Sequence, residues 1–326
     1  MKNKWMKWMK AGILAGGAFT IFMMPGWSFF EITVHCKQKR TLNKKKNFKL
    51  SHMKINHPRN KFEKEYNDGK VWCQEQKMQD CYMKSEDGLL LHGLYLPAEN
   101  AERFILLCHG YKGSGFGDFA NVAKFLHENH CNLLFIDQRC CGESEGEFIT
   151  FGAKEQHDVK KWAYFIAKRN KNKLPIYLYG ESMGAASVLM ASGHTLPHEV
   201  KGLIADCGFH SMKGQFKDMA VNWFRLNWIE LLLFRMNWFC RLLGGFSMKE
   251  ADTTKALKTN KRPILFFHGA KDTYVFPGNS KMNYSLCQAP KELVIVPEAR
   301  HICSAYEAPA LYREKLLSFF KKYDSL

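Results

Sequence analysis

The sequence predicts an α/β protein whose mostly parallel central sheet is covered by helices on both faces. Three observations lead there. Apolar runs of strand length recur at 104–108, 133–137, 175–179, 202–206, 264–268 and 293–296. Helix-period segments at 119–129, 153–169, 183–193, 280–287 and 305–322 separate them. The strand runs are continuously apolar rather than alternating, as strands buried on both faces are. Ahead of them, 81–84 and 89–96 flank Glu86-Asp87-Gly88, which reads as a hairpin. In such a sheet ligands gather at the carboxyl ends of the strands.

The 326 residues leave room for one domain of about 250 residues and something more. The formal charge of +17 is unevenly spread: residues 1–80 hold 17 Lys/Arg against 6 Asp/Glu, a net +11, which leaves +6 for the rest. That remainder has no basic stripe interleaved with stacking aromatics, so nucleic acid is not an expected partner. The front end reads as a membrane anchor over residues 1–36. Lys2, Lys4, Lys7 and Lys10 precede twenty uncharged residues, 11–30, closed by Glu31. Twenty helical residues span about 30 Å, the thickness of the hydrocarbon core, and Trp5, Trp8 and Trp27 stand near the ends, where indoles favour the interface. A cleaved signal peptide is the rival, weakened by the length of the run and the lack of a small-x-small site. The expected location is a membrane, held by a single N-terminal pass. Basic residues flank the run on both sides, so the side that carries the body stays open. Residues 37–80 read as a basic juxtamembrane linker with one short helix, and 81–326 as the α/β domain. Eleven cysteines, with Cys140 and Cys141 adjacent, do not form a disulfide framework.

Some fifty residues between 206 and 263 carry no strand signal. Their middle, 219–246, is rich in Trp, Phe and Leu but interrupted by Arg225, Glu230, Arg235 and Arg241. Those charges argue against a second membrane span and for a helical cap, about 210–258, over the sheet edge. Its aromatic face is suited to an acyl chain, to the bilayer, or simply to packing on the core.

The chemistry centres on Tyr179-Gly180-Glu181-Ser182-Met183-Gly184-Ala185, entered by a strand run and left by small helical residues. This is a strand, sharp turn and helix that lifts the Ser182 hydroxyl above the sheet, and Gly180 and Gly184 are needed because side chains there clash with the neighbouring strand or helix. The pentapeptide alone is weak; a second copy, Gly142-Glu143-Ser144-Glu145-Gly146, lacks the strand before it and the helix after it. A serine nucleophile needs a base and a carboxylate to orient that base. Asp272 follows the run 264–268 and His301 follows 293–296, in the order nucleophile, acid, histidine; Asp252 and Glu298 are weaker substitutes for the acid. The oxyanion needs two backbone N–H groups, assigned to Met183 and to Tyr111 in the loop after 104–108. His109 precedes the nucleophile and is assigned to bracing that loop.

These pieces, His109-Gly110 with Gly113, Asp137-Gln138-Arg139 with Gly142 and Ser144, Gly180 to Ala185, Ala205-Asp206-Cys207, His268-Gly269 with Asp272, and His301, resemble the α/β-hydrolase superfamily. Specifically, residues 81–323 or so look like bacterial membrane-anchored hydrolases of its serine aminopeptidase-like branch. The resemblance implies the α/β-hydrolase fold, a location at the bacterial cell membrane and, for the segment 137–144, a structural loop in which Ser144 is no nucleophile. Cys140 and Cys141 depart from the Gly or basic residues more usual there. The expected activity is hydrolysis of carboxylic esters with an apolar acyl group, by Ser182, Asp272 and His301, with no metal or organic cofactor. Peptidase or amidase action, acyl transfer to an alcohol, and a non-catalytic membrane-tethered binding module are the alternatives. No acidic cluster near the cap is visible to hold a substrate amine, as aminopeptidase action requires.

Overall fold

A computed structural model describes residues 19–36 and 58–325. Eight strands form one sheet in the order β1-β2-β4-β3-β5-β6-β7-β8. The hairpin β1 (Gln79–Lys84) and β2 (Leu90–Leu96) is antiparallel, with Lys84 opposite Leu90, and β2 runs antiparallel to β4 (Cys131–Ile136). From β4 through β3 (Arg103–Cys108), β5 (Ile176–Glu181), β6 (Val200–Asp206), β7 (Ile264–Gly269) and β8 (Lys291–Val296) every pairing is parallel. All six expected parallel strands are present, each within three residues of its expected start and two of its expected end.

Strands β4, β5 and β7 are buried throughout, and their side chains alternate between two cores. Ile105, Leu107, Tyr177, Tyr179 and Phe267 point to one face, where α4 (Ala123–Glu128) and α12 (Pro309–Tyr323) cover them. Leu106, Cys108, Leu178, Ala205 and Phe266 point to the other, under α5 (Glu155–Arg169) and α6 (Met183–Ala191). This period-two division, with apolar residues on both sides, is why these runs show no polar alternation.

The cap is present as α7 (Met212–Phe224) and α8 (Glu230–Leu242). Ser211 starts α7 by accepting a hydrogen bond from the Gly214 N–H, and Arg225 ends it in the left-handed region at φ 55°. On α8, Leu233, Met236 and Cys240 face the protein.

Two expectations for the front end change. The linker predicted over 37–80 is in part domain: α2 (Glu63–Glu75) buries Cys73, packs Trp72 into the core, and brings Gly69 so near the turn before α4 that a Cβ there would lie 2.0 Å from the Ala120 carbonyl oxygen. Residues 37–57 lie outside the described residues. Of the predicted span 11–30, residues 11–18 also lie outside them, and no described helix is long and apolar enough to cross a membrane. Residues 19–33 are helical, designated α1, and Met23, Gly26 and Phe30 turn inward. A Cβ on Gly26 would lie 2.3 Å from that of Arg235, so α1 seats its backbone directly on α8. The uncharged run therefore has a protein-facing side, which hydropathy does not resolve. All eleven cysteines are free thiols.

Candidate active site

Strand β5 delivers Ser182 at the junction with α6, with φ 53° and ψ −115°. The turn explains its glycines. A Cβ on Gly180 would lie 2.3 Å from the Gly184 carbonyl carbon, and one on Gly184 would lie 1.9 Å from the Cys108 carbonyl oxygen. The second clash is with the backbone of a central strand and cannot relax without moving it. Gly184→Ala is therefore expected to destabilise the fold by about 3 kcal/mol or more, read as a lowered denaturation midpoint; an unchanged midpoint contradicts this account of the turn.

His301 lies in the loop after β8 and Asp272 in the loop after β7, as expected. The Ser182 hydroxyl donates to His301 Nε2 at 3.0 Å, and His301 Nδ1 donates to Asp272 Oδ2 at 2.7 Å. One tautomer, with the proton on Nδ1, satisfies both contacts. Asp272 Oδ1 accepts from the Tyr274 and Val275 N–H groups at 2.8 and 3.0 Å. Burial alone would raise the Asp272 pKa; the His301 and His268 rings outweigh it and hold the carboxyl well below the ordinary carboxylate range. The carboxylate is charged, fixed from four directions and screened from solvent.

The other candidates separate clearly. Ser144 Oγ donates to the Asp137 carbonyl oxygen at 2.5 Å and accepts from the His92 N–H at 2.8 Å, so it ties a loop to β2. Asp252 accepts from the Thr254 N–H at 2.8 Å, and Glu298 pairs with Lys271 on the surface. His109 accepts from the Gln138 N–H at 3.0 Å and donates to the Gly110 carbonyl oxygen at 2.7 Å, which braces the loop before Tyr111. That loop abuts the elbow, since a Cβ on Gly110 would lie 3.4 Å from the Ser182 Cβ. Met183 is the first residue of α6, so its N–H has no partner within the helix. Tyr111 and Met183 both belong to the apolar cluster that joins the cap to the core. Cys140 takes φ 67°, in the left-handed region that favours glycine.

Several contributors escape sequence reasoning. His268 Nε2 lies 3.3 Å from Asp272 Oδ2 while Nδ1 meets the Ser280 hydroxyl at 2.6 Å, so a fully buried ring backs the acid. In the sequence His268-Gly269 stands only as a motif piece four residues before Asp272, with no role attached. Tyr274 stacks on His301 at 5.1 Å between ring centres, and Trp223 of the cap meets Tyr274 at 5.1 Å and donates to the Thr273 carbonyl oxygen at 2.9 Å. Asp206, at the end of β6, accepts from the Tyr312 hydroxyl at 2.9 Å, and burial raises its pKa. Lys112, Ser182, Cys207 and Ile302 all hold positive φ between 46° and 53°. Such strain, costly for a β-branched residue like Ile302, concentrates at functional sites.

The Cys207 thiol, Asp272 and His301 have ligand atoms within 4.8 Å of one another. Burial pushes that thiol well up, so it stays protonated, and both His301 nitrogens are engaged with Ser182 and Asp272.

The serine aminopeptidase (S33) family matches residues 99–243. Bacillus subtilis YqkD, itself described as uncharacterized, is 26% identical over 236 residues, 71% of this chain and 75% of YqkD. The α/β hydrolase domain-containing protein WAV2 of Arabidopsis thaliana is 24% identical over 262 residues, 75% of this chain and 79% of WAV2. Among solved structures, the Pyrococcus furiosus esterase Pf2001 superimposes with a TM-score of 0.63 at 19% identity, covering 78% of this chain and 94% of the esterase. A Pyrococcus horikoshii acylaminoacyl peptidase superimposes with a TM-score of 0.56 at 15% identity, over 79% of this chain and 44% of the peptidase.

Proposed function

The chain belongs to the α/β-hydrolase superfamily, and from that premise we propose that it is a serine hydrolase acting on carboxylic esters with an apolar acyl group. The observation that carries the reading is the continuous path from Ser182 Oγ through His301 to Asp272, with contacts of 3.0 and 2.7 Å. His301 Nε2 takes the Ser182 proton as Oγ adds to the ester carbonyl. Asp272 holds the imidazole in the tautomer that can do this and stabilises the imidazolium that forms. The N–H groups of Tyr111 and Met183 receive the oxyanion. His301 then protonates the departing alcohol, and water, deprotonated by the same imidazole, releases the acid.

The apolar surroundings of Tyr111 and Met183, with Phe151 stacked on Tyr111 and Phe216 edge-on to Phe151, favour an apolar acyl group. Peptidase or amidase action is the second reading, favoured by the matching family's description and by the acylaminoacyl peptidase neighbour. Holding a substrate ammonium takes a carboxylate that is not already engaged. The two carboxylates of α7 and α8 are both engaged: Asp218 accepts from Asn279, and Glu230 is paired with Lys213 and Lys217. The ester reading predicts that p-nitrophenyl acyl esters are turned over and aminoacyl anilides are not. Faster turnover of the anilides would replace it with the second reading.

A retained N-terminal membrane attachment is part of the same proposal, supported by the uncharged run 11–30 between basic flanks.

A further inference from the structure

The cap turns an unusual surface outward. Among the described residues, Val221 to Trp228 are all exposed, with Phe224 66% and Trp228 77% accessible. On α8, Leu231, Phe234, Trp238 and Leu242 are exposed at spacings of three, four and four residues, which puts them along one side, opposite the inward Leu233, Met236 and Cys240. A surface helix normally presents polar residues there; this one is apolar on both sides. Helix α1 extends the same surface. Phe19 meets Trp238 edge-on at 6.2 Å, the Arg235 guanidinium lies 3.8 Å from the centre of the Phe22 ring, and Ile21 beyond them is 72% exposed.

We infer that the outward face of α7, α8 and α1 is a bilayer-seating surface, which rests in the headgroup and upper acyl region of a membrane bearing anionic lipids. Three features choose this occupant. The face is dominated by Trp, Phe and Leu, the residues that enter the interfacial zone. Its charges are cationic in balance: residues 212–243 contain Lys213, Lys217, Arg225, Arg235 and Arg241 against Asp218 and Glu230, and the two lysines neutralise Glu230. Exposed Arg225 and Arg241 close the C-terminal ends of α7 and α8, where they can meet lipid phosphates. Finally, α1 is continuous in sequence with the uncharged residues 11–18 and the lysines before them. A second copy of the chain would bring like charges together on this face; an anionic bilayer would not.

The surface also reaches the site. Trp223, at the end of α7, touches Tyr274, which stacks on His301. An ester dissolved in the bilayer would meet the catalytic histidine without crossing water. That consequence rests on the hydrolase reading, whereas the seating surface does not.

The test uses the full chain with a fluorescent non-natural residue at position 228, or, as control, at position 317 on α12. It is mixed with phosphatidylcholine–phosphatidylglycerol vesicles carrying doxyl quenchers in their acyl chains. Quenching at 228 is expected to exceed that at 317 by about threefold or more, and to persist in Ser182→Ala. Equal quenching at the two positions in vesicle-bound protein overturns the inference, because attachment then runs through other residues. So does lipid-independent dimerisation abolished by Trp228→Glu, which would make a second copy the occupant. In the second arm, Trp228→Glu with Phe234→Glu is expected to slow turnover of a long-chain ester presented in vesicles about tenfold while leaving a soluble butyrate ester unaffected. Equal loss on both substrates contradicts delivery from the bilayer. Activity surviving Ser182→Ala would instead sink the hydrolase reading and leave the surface standing.

Discussion

Ser182→Ala is expected to lower kcat on an activated ester by roughly a millionfold with the melting temperature unchanged, whereas Ser144→Ala does the reverse. The hydroxyl of Ser182 has one task in the structure, the 3.0 Å contact with His301 Nε2. The hydroxyl of Ser144 has two structural tasks, both buried: it donates to the Asp137 carbonyl and accepts from the His92 N–H of β2. Removing it strands two buried partners and costs about 1–3 kcal/mol of stability, with turnover per folded molecule preserved. Circular dichroism melts beside initial rates distinguish the two. Loss of turnover in Ser144→Ala with normal stability would mean that the elbow has been misassigned.

Asp272→Asn is expected to lower kcat about 10⁴-fold with little change in KM. The carboxylate accepts from His301 Nδ1 and from two backbone N–H groups. An amide there can offer an N–H to the ring where only an acceptor fits, and so selects the wrong imidazole tautomer. The pH dependence follows from the sign of the Asp272 shift. Its folded pKa is depressed, the rings of His301 and His268 having overcome the burial that would raise it. The stability this carboxylate contributes is fully present above its unfolded pKa of about 3.9 and is lost only as pH falls through the depressed folded value. Near neutrality Asp272 is therefore charged, and its protonation does not limit kcat/KM in that range. An acid limb that tracked protonation of Asp272, seen as one that vanishes in Asp272→Asn while the plateau rate survives, would contradict the assignment.

The fold and the three central residues were legible in the sequence for a common reason. Continuous apolar strands and short functional loops leave local signatures, and Ser182, Asp272 and His301 each stand directly after such a strand. What could not be read depends on which side of an element faces protein. Helix α2 looks like linker because Glu63, Lys64, Glu65, Asp68 and Lys70 dominate its composition, yet Trp72, Cys73 and the close approach at Gly69 fasten it to the core. Helix α1 is uncharged until Glu31 and shows no polar side in its sequence; its packing of Gly26 on Arg235 and of Phe19 on Trp238 shows that one side belongs to the cap. The second imidazole behind Asp272 was equally hidden, because a histidine inside an apolar strand announces no partner. Positive φ at Ser182 was implied by the elbow; at Cys207 and Ile302 nothing in the residue type foretold it.

The most direct test of the central claim is to react the full chain with a fluorophosphonate and locate the adduct by peptide mass spectrometry. A single adduct on Ser182, absent from Ser182→Ala and strongly slowed in Asp272→Asn, is the predicted result. An adduct on any other residue, or labelling that survives Ser182→Ala, would contradict it.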